Sequence, residues 1–472
     1  MPRREPVPVV VKSGVPHGAT ESGWLPDLVY TGEKFESGLA FFADSVGRIT
    51  RWSRQPADLA KARRLEGQAA LPGLVNVHSH SFQRGWRGRL EHRTADASAA
   101  IEQKALGRMT DEDVFDTARI AFMEMLLSGI TCVGEFQYLH HQPDGTAWPD
   151  ASQLSREIIR AAHDLGIRIA LLRVAFSRGD FRGEAGSAPA RFRHAAVDQF
   201  IRETETLRVS VEKEFPADEA WVGVGAYSMA AVPLEQCKAI ATYARAQRIR
   251  LHAHISGTVG ENAACVAEYG KTPIALLAEH GVIDKRFTAI DAAHLTEEEI
   301  KILGAARASV GVCSSSTQSA GLSSAAVERL IAAGAGIALG SDCNLQINLL
   351  GEARLLELQL RVARGSRTGL GPDSATALFH AATVTGARSL GATSGALEVG
   401  RPADFFTVNL YDPSIAGADP ESLLANILGA MERRAIRDVW VGARQRISNG
   451  RHVAHGPIVG RFVEAQRRIW AG

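Results

Sequence analysis

The chain has 472 residues, 45% of them hydrophobic and 22% charged, with a formal net charge of +1 at neutral pH. That length is enough to bury a large core and exceeds one ordinary small domain. The near-neutral balance with no Lys/Arg stripe argues against nucleic-acid binding, and no apolar run approaches the roughly 18 residues that a membrane span needs.

The opening stretch "MPRREPVPVVVKSG" has basic residues, but its apolar part is short and broken by prolines, so it is not read as a secretory signal. Residues 26–70 include the hairpin pattern "GLAFFADSVGRITRW", and residues 396–456 include "ALEVGRPADFFTVNL" and "IRDVWVGARQRISNGRHV". Short strands punctuated by Gly, Pro and Asn predict a small β-domain built from both chain ends, residues 1–70 and 393–472, around a central unit of residues 71–392. In that unit eight apolar runs alternate with helical stretches: "GLVNVHSH", "GITCVGEFQYLHH", "IRIALLRVAFS", "WVGVGAYSM", "RIRLHAHIS", "FTAIDAAHL", "ASVGVCSSS" and "AGIALGSDCN". Thr110 with Asp113 and Thr296 with Glu299 mark two helix starts as capping boxes. Continuous apolar strands separated by helices imply a parallel sheet covered on both faces. Eight such units predict an α/β fold, a closed (β/α)₈ TIM-like barrel. Cys132, Cys237, Cys265, Cys313 and Cys343 follow no paired spacing and are read as reduced thiols of a cytoplasmic protein.

In such a barrel the active site lies at the C-terminal strand ends, where the polar residues of these runs fall. "LPGLVNVHSHSFQRG" closes the first run with His78 and His80, and strand alternation aims both imidazoles to one side. The second run ends with Glu135, Gln137, Tyr138, His140 and His141, the fourth with Tyr227 and Ser228, the fifth with His252 and His254, the sixth with His294 and the eighth with Asp342. Neutral imidazoles with one carboxylate suit a divalent ion that keeps a position open for water. On the fifth strand His254, nearer the end, is the expected ligand and His252 a packing residue. His140 and His141 open the loop "HHQPDGTAWPD" and are expected to be solvated or hydrogen-bonded there.

With these residues placed, the chain resembles the amidohydrolase superfamily, in its aminohydrolase and deaminase branch. "PG..N.HSH", the fifth-strand histidine, "AAH" after strand six and "GSD" after strand eight carry the likeness over most of the barrel. "HSHSFQRG", "EFQYLHHQPDG" and "IDAAHLT" are most similar to the formimidoylglutamate deiminases within that branch. The resemblance implies that His78, His80, His254 and Asp342 hold one divalent metal ion, Zn²⁺ first, with Fe²⁺ or Mn²⁺ as alternatives. It further implies that His294 hydrogen-bonds the attacking water, that Gln83 and Tyr138 contact substrate, and that the assembly is a homodimer or larger.

The chain also departs from that family. A proton-shuttling glutamate follows the fifth-strand histidine by three residues there, whereas "HISGTVGEN" has Gly257 in that place. "AYSMAAV" offers Tyr227 and Ala230 where the deiminase carries a histidine and an arginine, and "SDCNLQ" has Asn344 where a histidine often follows the aspartate. Fold and metal site are therefore expected to carry over, and the substrate to differ.

The expected reaction is hydrolysis of a non-peptide C–N bond. Asp342 takes the proton of the attacking water and passes it to the leaving nitrogen, His294 orients the water, and Tyr138 and Tyr227 donate to the carbonyl oxygen or amidine nitrogen. Gln83, Tyr138, Tyr227 and Asn344 are the residues expected to meet the substrate. Glu261, seven residues after His254, is the remaining carboxylate with reach. Loss of guanidinium groups removes the reason for an anion to bind, so the expected substrate is a neutral amide, a urea such as an aryl-urea, or an amidine. Formimidoylglutamate, its carboxylates taken by Arg93 or Arg84, is the alternative, and a metal-binding but non-catalytic homologue is the third reading.

Overall fold

The computed structural model describes residues 21–184, 187–194 and 196–471. The opening stretch read above for a secretory signal lies outside the described residues. All eight apolar runs form parallel strands of one barrel: β1 (Leu74–Ser79), β2 (Ile130–Gln137), β3 (Arg168–Ala175), β4 (Ala220–Ala226), β5 (Leu251–Ile255), β6 (Phe287–Asp291), β7 (Ser309–Val312) and β8 (Gly336–Leu339). Helices cover the outside of this sheet, which is why β1, β2, β3, β7 and β8 are buried along their whole length and read as unbroken apolar runs. Both predicted capping boxes are present. Thr110 and Asp113 start the helix Asp111–Leu127, and Thr296 and Glu299 start Glu297–Ala305.

The barrel closes just beyond the ends of β8 and β1. Ser79 pairs with Asp342 in a parallel bridge, the amides of Ser341 and Asp342 donate to the carbonyl of His78 (3.0 and 2.9 Å), and the amide of His80 donates to that of Asp342 (2.9 Å). Asn76, inside β1, completes the seam: its Oδ1 accepts from the Ser341 amide (3.1 Å) and its Nδ2 donates to the Ser341 hydroxyl (2.7 Å). Such close approach requires a glycine before Ser341. A Cβ on Gly340 would sit 2.8 Å from Cys313 Sγ and 2.9 Å from His78 Cβ.

The second sheet joins the chain ends. Arg63–Pro72 lies between Glu21–Tyr30, parallel to it, and Phe405–Asn409, antiparallel. The hairpin Ala40–Asp44 with Ile49–Ser53 extends one side, and Ile436–Val441, Arg444–Ser448 and Arg451–His452 extend the other. Its core is aromatic, with Phe405 stacked on Trp440 at 4.4 Å and edge-on to Phe41 at 5.0 Å. The helix His455–Trp470 then leaves this sheet and packs on Asp111–Leu127, where Arg468 binds the buried Asp113.

A buried ion pair ties the barrel to the β-domain. Arg168, at the start of β3, donates from Nε and Nη2 to the two oxygens of Asp404 (2.7 and 3.0 Å), and Asp404 also accepts from the Gly442 amide (2.7 Å). Both side chains are almost completely buried. Removing Asp404 leaves the buried Arg168 with only the more distant carboxylate of Asp218 (3.6 Å), so Asp404→Ala is expected to cost about 3 kcal/mol. A thermal or denaturant melt should show that loss, and an unchanged midpoint would refute the pair's role.

Candidate metal centre

His78 and His80 project from the end of β1, His254 from β5 and Asp342 from the turn after β8. One ligand atom of each lies within 4.8 Å of all the others. His78 Nε2 is 3.2 Å from His80 Nε2 and 3.1 Å from His254 Nε2, and Asp342 Oδ1 stands 3.3 and 3.1 Å from the Nε2 atoms of His78 and His80. The far side of two rings is fixed: His80 Nδ1–H donates to the Phe136 carbonyl (3.0 Å) and His254 Nδ1–H to Asp291 Oδ2 (2.8 Å). Each of these bonds selects the tautomer that leaves Nε2 with a free lone pair. His78 has at most one proton on Nε2 to offer two such neighbours. Three nitrogens and one carboxylate oxygen crowded at this range therefore fit a divalent cation.

Electrostatics agree with that donor set. Burial drives His78 well below its ordinary pKa, so the ring is neutral. Burial opposes the charge on Asp342, but the adjoining His78 and His80 rings outweigh it and hold the carboxyl well below the usual range. Asp342 adopts a left-handed backbone (φ 46°), as does Asn344 (φ 54°). Asp and Asn tolerate that region better than most residues.

The other expected site residues are divided. Gln83 Nε2 donates to the Tyr138 hydroxyl (2.7 Å), and the Tyr138 ring lies 5.3 Å from His80 and 5.2 Å from Tyr227, which is 5.8 Å from His254. Burial raises the pKa of both phenols, so each keeps its proton as a donor. Asn344 is fully buried with its amide used internally, Nδ2 donating to Ser79 Oγ (3.0 Å) and Oδ1 accepting from Ser341 Oγ (2.6 Å). It braces the seam instead of facing the mouth. His294 stands outside the four-ligand cluster, in the turn after β6, its amide bonded to the Ser256 carbonyl (3.0 Å). His252 is completely buried one layer below His254 and bonds the Ser389 carbonyl (3.3 Å). His140 bonds the Val174 carbonyl in β3 (2.8 Å) and His141 the Arg193 carbonyl of the following loop (2.7 Å). Glu261 folds back onto the Gly257 amide (2.9 Å).

Two carboxylates at the site have no role in the sequence reading. Asp291 ends β6 and holds His254; a Cβ added at Gly257 would lie only 3.4 Å from its Oδ2. The carboxylate absent at position 257 thus has a neighbour in the next strand. Its signal in the sequence is its place, a polar residue at the C-terminal end of "FTAID". Glu135 is fully buried and accepts from both the amide and the hydroxyl of Ser81 (2.6 Å each), pinning the turn after His80. Burial pushes its pKa up to about 7.

The Amidohydrolase family model matches residues 69–453, and the chain belongs to that family. It is 31% identical over 434 residues to formimidoylglutamate deiminase of Pseudomonas aeruginosa, covering 90% of this chain and 94% of that one. It is 28% identical over 392 residues to 5-methylthioadenosine/S-adenosylhomocysteine deaminase of Moorella thermoacetica, with 81% and 82% covered. Among solved structures, an amidohydrolase from Brucella melitensis superposes with a TM-score of 0.85 at 26% identity, covering 95% of this chain and 100% of that one. The protein is accordingly a metal-dependent hydrolase of C–N bonds in the deaminase branch of the family.

Asp291→Asn keeps the shape but weakens the hold on His254. Supporting carboxylates of this kind are worth about 10- to 100-fold in metal affinity. Competition of the variant against a chromophoric chelator should show a loss in that range, and wild-type affinity would remove Asp291 from the centre.

Proposed function

We propose that the protein hydrolyses a C–N bond of a neutral amide, urea or amidine, with one divalent ion, zinc in the first instance, held by His78, His80, His254 and Asp342. The observation that carries this reading is the convergence of those four donors at the open end of the barrel. When bound, such an ion lowers the pKa of a coordinated water from about 15.7 towards about 7, supplying the nucleophile at neutral pH. The chain's own groups do the rest. Asp342 receives the water's proton and returns it to the leaving nitrogen, and His294 orients the water. Gln83 donates to the Tyr138 oxygen, which leaves the phenolic proton of Tyr138 free for the substrate's oxygen or amidine nitrogen. Tyr227 is the second such donor.

The preference for an uncharged substrate is supported by where the guanidinium groups stand. Arg84 is spent on Glu124 and the carbonyls of Asn344 and Leu345. Arg93 is exposed and bonds the Arg89 carbonyl (2.8 Å). Binding two carboxylates would require at least one of them to break these bonds. Formimidoylglutamate remains the second reading because of the 31% identity to a deiminase acting on it. Five unpaired thiols, four of them buried, support a reducing compartment.

Tyr138→Phe is expected to lower kcat by about 10²- to 10³-fold, as loss of one oxyanion donor does, with metal content unchanged. His254→Ala and chelation should each abolish turnover, and zinc should restore it only after chelation. The deciding assay is ammonia or amine release from a panel of aryl-ureas, amides, amidines and formimidoylglutamate by metal-replete protein. Turnover confined to formimidoylglutamate would overturn the neutral-substrate reading, and no turnover of any member with full metal content would overturn both.

A further inference from the structure

A cavity of about 70 Å³ lies at the other end of the barrel from the four donors, where the starts of β3 and β4 meet the β-domain. Its walls carry Arg168, Asp218 and Glu219 from the barrel, and Arg444 and Arg446 from the strand Arg444–Ser448. Alternation along that strand puts residues 444 and 446 on one face, where both line the cavity. Gln445 lies on the other face and bonds Asp438 (3.1 Å).

The basic groups there are unequally served. Arg168 is bound by Asp404 and by the Asp218 carbonyl, and the Asp218 carboxylate also takes Arg48 (2.8 Å). Arg444 and Arg446 form no hydrogen bond or ion pair through their side chains among the described residues, and the Nε of Arg446 is buried without a partner. Burial and then the neighbouring Arg444 push the Arg446 pKa down, with Glu219 opposing. Arg48, Arg168, Arg444 and Arg446 thus share the charge of only Asp218, Glu219 and Asp404.

The helix Gln153–Leu165 ends against this cluster, and a Cβ on Gly166, its left-handed cap, would overlap the Arg446 guanidinium. A helix end carries about half an elementary charge, so it offsets Arg446 only in part. A cation taken from water without full compensation is costly, and two guanidinium forks lining one cavity suit an oxyanion.

We infer that this cavity is a binding site for one small, doubly charged oxyanion, inorganic phosphate or sulfate, held by Arg444 and Arg446 and joining the β-domain to the base of the barrel. Its size admits the free ion and little more, so an ester of phosphate is a poorer fit. The site is separate from the metal centre and does not depend on the reaction proposed above.

The test is calorimetric titration of the metal-replete full-length protein with sodium phosphate at constant ionic strength. It should reveal a site that sulfate also fills and that binds glycerol phosphate about tenfold more weakly or worse. Arg444→Gln and Arg446→Gln should each weaken phosphate about tenfold, the worth of one charge-assisted bond. Saturating phosphate should raise the melting temperature of the wild type and leave that of Arg446→Gln unmoved, as mass action requires. Without phosphate, Arg446→Gln should melt no lower than the wild type, because it removes a charge that lacks a partner. Binding that both variants retain would place the ion elsewhere, the metal centre included, and overturn the inference. So would absence of binding, or glycerol phosphate held as tightly as the free ion. A phosphate-free Arg446→Gln that melts lower would make the helix end the full partner of Arg446, and would overturn it as well.

Discussion

Four electron-pair donors held within 4.8 Å of one another repel unless something positive lies between them. The surrounding structure holds them there. His80 and His254 are locked by acceptors on their outer nitrogens, and Asp342 is held in a left-handed turn whose amide is bonded to the carbonyl of His78. The residues that carry these four donors therefore also close the barrel. The donor pair of β1 and the donor of the turn after β8 meet because their backbones are hydrogen-bonded across the seam, and Asn76, Gly340, Ser341 and Asn344 are shaped by that need. The hydrogen bonds that close the barrel are thus also the ones that position the four donors.

Charge decides the rest of the mouth. The loops around it contain several arginines, yet their guanidinium groups are consumed by carboxylates and backbone carbonyls of the loops themselves. A carboxylate, by contrast, is kept at the site, Asp291 behind His254. A relative that acts on an acidic substrate and a chain with this arrangement can share a metal centre and differ in what they admit, because the ligands come from strand ends and the selecting groups from loops.

Much of this was legible before the fold. A run of apolar residues ending in polar ones is a one-dimensional signature of a strand buried on both faces and open at its tip, so the eight strands and the four converging donors His78, His80, His254 and Asp342 could be read in chain order. Capping at Thr110 and Thr296 was equally local. The role of Asp291 was not legible, since nothing in the local sequence tells which side chain of the turn after β6 meets His254. The left-handed turn at Asp291 and Ala292 decides that.

What the sequence determined by itself is what depends on neighbours within a few residues: strand and helix periodicity, caps, and the side-by-side aim of His78 and His80. What only the tertiary structure decided depends on partners far along the chain. It turned Asn344 into a brace for Ser79 at a separation of 265 residues, tied Arg84 to carbonyls 260 and 261 residues away, and brought Asp291 to His254 across 37. A side chain's polar atoms bond whatever the fold brings within about 3 Å, and that choice is made by the closure of the barrel, not by the local order of residues.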